Sequence, residues 1–69
     1  MDTIENVGGA VAYIMAASRG KRGANLSDVA FLLAVPTDVA RRRIAHAIEA
    51  GTIENRGTGT AYRLFLRGA

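Results

Sequence analysis

The sequence predicts a small α+β domain, mainly α, in which three helices precede a β-hairpin. Three observations carry that reading. Residues 27 to 44 read as two short helices about a tight turn at Ala34, Val35 and Pro36. Ile4, Val7, Val11, Ile14 and Met15 repeat at helical spacing in residues 2 to 17. Two alternating runs, Thr52 to Arg56 and Thr60 to Leu66, flank Gly57-Thr58-Gly59, which is the pattern of a hairpin. With 69 residues there is room for one core, and a chain of this size buries only about 60% of its unfolded surface. Residues 1–69 therefore read as a single domain, without repeats or linkers.

The first helix is expected over residues 2 to 17, capped by Asp2 or Thr3, with Glu5 in its first turn. Gly8 and Gly9 inside it each cost roughly 1 kcal/mol relative to alanine. They are expected either to permit close packing against another helix or to mark an irregular start. Residues 7 to 17 are largely apolar, but the chain starts acidic, has no basic leader, and the run is too short to cross a bilayer. Ser18 to Asn25 form a polar basic connector. Ser27 is the expected cap of the second helix, which turns Val29, Ala30 and Leu33 to one side. The third helix, residues 37 to 50, buries Ala40, Ile44, Ala47 and Ile48 and leaves Thr37, Asp38, Arg41, Arg42 and Ala45 opposite. Thr37 is its expected cap, and Gly51 ends it as a left-handed residue. Phe31, Tyr62 and Phe65 are assigned to packing, Tyr13 to the core or a dimer contact.

The two-helix stretch resembles the helix-turn-helix motif of DNA-binding proteins. Ala30 matches the small residue at the helix crossing, Ala34 the small turn residue four positions on, and Ala40 the small apolar position six further. Val29, Leu33, Val35 and Ile44 fill the remaining apolar positions. Two residues depart from the pattern. Ala34 replaces the commoner glycine and must tolerate its backbone angles at some strain. Arg43 stands where a small apolar residue is usual and must snorkel outward past its own stem. With a hairpin directly following, residues 4 to 66 resemble the winged helix-turn-helix superfamily, in which the hairpin is the wing. The resemblance implies that Ala24 to Leu26 could form a short third strand joining the hairpin.

That resemblance implies double-stranded DNA as partner, with residues 37–50 as recognition helix and 52–66 as wing. Net charge is +3 and the pI is near 10.2, a balance suited to polyanions. Arg41, Arg42 and Arg43 would meet guanine edges or phosphates, with Arg43 angled partly towards the body of the domain. Thr37 and the helix N-terminus could meet a phosphate. Asp38 favours the helix dipole or accepts from cytosine. His46 is a surface residue or a phosphate contact. Arg56 and Thr58 are candidate wing contacts, and Lys21 and Arg22 could reach phosphate from the connector.

An enzyme is hard to assemble from this chain. It has no cysteine and one histidine, and no phosphate-cradling glycine loop followed by a helix and lysine. No metal-ligand cluster is visible in the sequence, and neither a cofactor nor a small-molecule ligand is expected. The expected role is a small prokaryotic or phage transcriptional regulator, cytoplasmic and nucleoid-associated, with the first helix as its candidate homodimer surface. The alternatives are a winged-helix module for protein interaction or assembly, and a DNA-binding module of replication, segregation or packaging machinery.

Overall fold

The computed structural model describes residues 4, 6–19, 22–59 and 61–68. Three helices and a hairpin follow in the expected order: α1 (Val7–Ser18), α2 (Leu26–Leu33), α3 (Thr37–Glu49), β1 (Ile53–Asn55) and β2 (Leu64–Leu66). Each helix packs on the other two, and α1 also lies against β2.

Helix α1 starts at Val7, later than the apolar stripe suggests. Asn6 is extended and its side-chain oxygen accepts from the Gly9 N–H at 2.7 Å, satisfying one of the free amides of the first turn. Asp2, Thr3 and Glu5, expected as caps and first-turn acid, lie outside the described residues. Gly8 and Gly9 therefore occupy the helix start. A Cβ on Gly8 would stand 3.1 Å from Thr52 Cγ2, so the close neighbour is the chain leading into β1 and not another helix.

The second helix is capped by Asn25 and not by Ser27. Asn25 Oδ1 accepts from the Asp28 N–H at 2.8 Å, and Asp28 Oδ2 accepts from the Asn25 N–H at 3.3 Å, a reciprocal capping box. The helix begins this early because the preceding residue is already tied to the hairpin. Ala24 and Leu64 exchange backbone hydrogen bonds of 3.0 and 2.9 Å. The expected third strand is thus one antiparallel bridge, since Leu26 already belongs to α2. Gly23 permits that approach: a Cβ there would lie 2.9 Å from the Arg63 carbonyl carbon and from Phe65 Cε1.

Ala34 ends α2 in the left-handed region, φ 56° and ψ 47°. Its N–H donates to Phe31 O and that of Val35 to Ala30 O, both at 3.1 Å, which satisfies carbonyls at the end of α2. Pro36, not Thr37, takes the N-cap position of α3, and no side chain caps that helix. Thr37 is already helical, and the fixed φ of Pro36, −61°, leads the chain straight in. At the other end Gly51 adopts φ +81°, as expected of a residue terminating α3.

The hairpin pairs Ile53 with Leu66, Glu54 with Phe65 and Asn55 with Leu64. Its tightest turn lies past Gly57, where Thr58 and Ala61 bridge and the Ala61 N–H donates to Thr58 O at 2.9 Å. A Cβ on Gly57 would collide with the Ala61 carbonyl oxygen. Asn55 Oδ1 accepts from the Gly57 N–H at 2.8 Å and the Arg63 N–H at 3.1 Å, so one side chain stitches both arms of the hairpin together.

The core gathers Val11, Val29, Ile44, Ile53 and Leu64, with Ala30 and Ala40 buried on α2 and α3. Phe65 is buried and Tyr62 packs half-buried against the core. Phe31 is not a core residue: it is 83% exposed. It lies about 200° around α2 from Val29, so the helix that buries Val29 turns Phe31 to solvent. No helix among the described residues is long and apolar enough to cross a membrane.

Candidate nucleic-acid interface

Helix α3 presents the largest set of expected site residues. Thr37, Asp38, Arg41, Arg42, Arg43 and His46 are all exposed. With Ala40 and Ile44 buried, Arg42 stands nearly opposite the core. Arg41 and Arg43 fall about 200° apart and so occupy opposite flanks of the helix. None of the three arginines makes an ion pair or side-chain hydrogen bond among the described residues. Asp38 sits in the first turn of α3, where a carboxylate complements the helix dipole.

Arg42, Arg43 and His46 line an open groove whose other wall is Asn6, Gly8 and Thr52. Asn6 and Gly8 belong to the start of α1 and Thr52 to the link between α3 and β1, so Arg42 and Arg43, both exposed, border the other elements across this groove. Arg41 lies outside that groove. The consecutive arginines therefore divide between an outward face, an α1-side flank and the flank beyond.

The cations outside α3 are held differently. Arg22 Nη2 lies 3.4 Å from Asp28 Oδ2, the acid that also closes the α2 capping box. Ser18 keeps Arg22 near the end of α1, its hydroxyl accepting from the Arg22 N–H at 3.3 Å. Arg56 turns back along its own strand. Its Nε donates to Glu54 Oε2 at 3.2 Å and its Nη2 to Glu54 Oε1 at 3.3 Å, while the guanidinium carbon lies 4.4 Å from the centre of the Phe65 ring. Arg63 approaches the same ring at 5.8 Å. Arg56, Thr58 and Arg63 form one side of a second groove, with Asn25 and Ser27 at the start of α2 opposite. Lys21 lies outside the described residues.

The bidentate contact from Arg56 is the first cause of a Glu54 carboxyl held below the ordinary carboxylate range; the charges of Arg56 and Arg67 act in the same direction, and partial desolvation opposes them. Glu54 and Phe65 were not among the residues expected at the site. The first was legible, since residues two apart on a strand share a face. The second needed the hairpin register, which sets Phe65 opposite Glu54 and hence diagonal to Arg56.

The described residues hold no group of three or more His, Asp or Glu side chains able to bind a metal ion. What the arrangement offers chemically is cationic hydrogen-bond donors on a rigid helix beside a hairpin that carries two more. In comparisons with protein-family models, with curated proteins and with solved structures, nothing matches this chain.

Proposed function

We propose that this chain is a winged helix-turn-helix protein that binds double-stranded DNA, with α3 in the major groove and the hairpin as wing. The observation that carries the reading is the face of α3: Arg41, Arg42 and Arg43 are exposed and unpaired among the described residues, on a helix anchored by buried Ala40 and Ile44. The tight turn at Ala34 supports it, because it crosses α3 over α2 and leaves the basic face uncovered. Arg42 and Arg41 are the principal contacts, Thr37, Asp38 and His46 flank them, and Arg43, Arg22, Arg56 and Thr58 serve the phosphate backbone. The role is binding and not catalysis, in a prokaryotic or phage regulator acting on the nucleoid.

One domain neutralises few phosphates, so specific binding requires two copies, about 10 bp apart if related by a two-fold axis. Helix α1 is the surface for that pairing. It carries no charged residue, so two copies of net charge +3 can meet there without opposing like charges, and Tyr13, 55% exposed, supplies an aromatic anchor.

The test is fluorescence anisotropy against mixed duplex DNA at several salt concentrations, comparing the wild type with an Arg41→Ala/Arg42→Ala double variant whose fold is checked by circular dichroism. Log K should fall against log salt with a slope of about 0.9 per phosphate neutralised, and the double variant should lose binding while staying folded. Folded wild type that ignores duplex DNA at low salt refutes the reading. A protein-assembly module would then be favoured, and the exposed ring of Phe31 is the feature such a partner would cover.

A further inference from the structure

We propose that Glu54 is the positioning residue of the wing: an intramolecular stand-in for phosphate that holds Arg56 against Phe65 and must be exchanged when the wing grips a polyanion. The inference rests on the DNA-binding reading above and specifies how its wing works. A guanidinium recognises a carboxylate or a phosphate by two parallel N–H groups on one edge. Glu54 occupies that edge of Arg56, through Nε at 3.2 Å and Nη2 at 3.3 Å, in the geometry a phosphate oxygen pair would take. The Phe65 ring fixes the plane of the guanidinium from below, 4.4 Å away, so the edge is aimed before any ligand arrives. Both charged side chains are partly exposed, 44% for Arg56 and 39% for Glu54, which leaves the pair open to competition from solution.

The other cations expected at the interface divide on this same property. Those of α3 have no acidic partner among the described residues, whereas Arg22 and Arg56 each have one, Asp28 and Glu54. Asp28 is committed to the cap of α2, where its removal would disturb the helix as well. The Glu54 carboxylate has no hydrogen bond among the described residues besides those to Arg56. It thus caps no helix and ties no other element down, and is available as a competitor. The consequence is a wing that adds little affinity for a lone phosphate and engages only once α3 has already placed the duplex beside it, where the local phosphate concentration is high enough to displace Glu54.

The experiment is a double-mutant cycle on mixed duplex DNA by fluorescence anisotropy, with wild type, Glu54→Gln, Arg56→Ala and the double variant, each shown to be folded by circular dichroism. Glutamine keeps the shape of Glu54 and removes its charge. Glu54→Gln should tighten binding by roughly 2- to 5-fold at low salt, the equilibrium equivalent of freeing an exposed ion pair, and the gain should shrink as salt rises. In the Arg56→Ala background the same substitution should give no gain. A gain that persists without Arg56 is a long-range charge effect and overturns the proposal, as does no gain at all while the wild type binds. If none of the four proteins binds duplex DNA, the DNA-binding reading fails and this one with it.

Discussion

Replacing Ala34 by glycine tests whether the turn between α2 and α3 is held under strain. The residue sits at φ 56° and ψ 47° and is exposed, so the substitution removes a methyl group from the surface and not from the core. An L-residue in that conformation costs roughly 1–2 kcal/mol relative to a right-handed one. Glycine escapes this cost but gives up about 0.5–1 kcal/mol through the extra freedom of its unfolded chain. The difference spans about 0–1.5 kcal/mol and centres on a variant more stable by about 0.5–1 kcal/mol. With a urea m-value of about 1 kcal/mol/M for a small domain, the midpoint should rise by about 0.5–1 M at unchanged slope. In a thermal melt that is about 3–8 °C. Arg19→Gly provides a parallel case, since Arg19 ends α1 at the same φ of 56°. A midpoint for Ala34→Gly that stays put or falls would show that the left-handed angle is not a cost at this position.

Four further outcomes follow from the packing. Ile44→Ala removes a fully buried side chain and should cost about 2–5 kcal/mol, enough to bring a small domain near its unfolding threshold in urea titration. Phe31→Ser should change stability by no more than about 0.5 kcal/mol; a larger loss would mean that the ring is packed and not exposed. Gly57→Ala drives a methyl into the Ala61 carbonyl, so amide exchange should accelerate at Arg56 and Arg63 while α1–α3 keep their protection. Acid should dissolve the Glu54–Arg56 pair. The folded carboxyl titrates below its usual value of 4.5, so the pair contributes above that value and is lost as pH falls through the lowered one. Wild type and Glu54→Gln should accordingly differ at neutral pH and converge in strong acid.

The order of elements was legible because helical and strand periods differ, and the stripe at Ala40, Ile44, Ala47 and Ile48 could not be mistaken for a strand. Helix starts were less so. Asn25 and Ser27 are both good caps in isolation, and the choice between them is made by the Ala24–Leu64 bridge, a contact forty residues apart in sequence. Pro36 displaced Thr37 from the cap position for a local reason that was readable. Phe31 misled because aromatic character outweighed its angular position, although its place opposite Val29 was available from spacing alone. At the site, exposure of the α3 arginines followed from the stripe. The pairing of Arg56 with Glu54 and Phe65 did not, because it depends on hairpin register and on a side chain folding back along its strand.

The three successive arginines of α3 also bear on how discriminating such a helix can be. Spread over some 200° of its circumference, they form a partial collar and not a stripe. A stripe delivers its charges in one rotational setting, so an error of rolling about the helix axis is penalised at every contact together. A collar exchanges one cation for the next as the helix rolls, which flattens the energy against rotation. If α3 enters a groove, its arginines therefore secure the depth of insertion far better than its angle, and the rotational setting in which Arg41 and Arg42 meet base edges has to be fixed from outside the collar, by the hairpin and the α2–α3 turn.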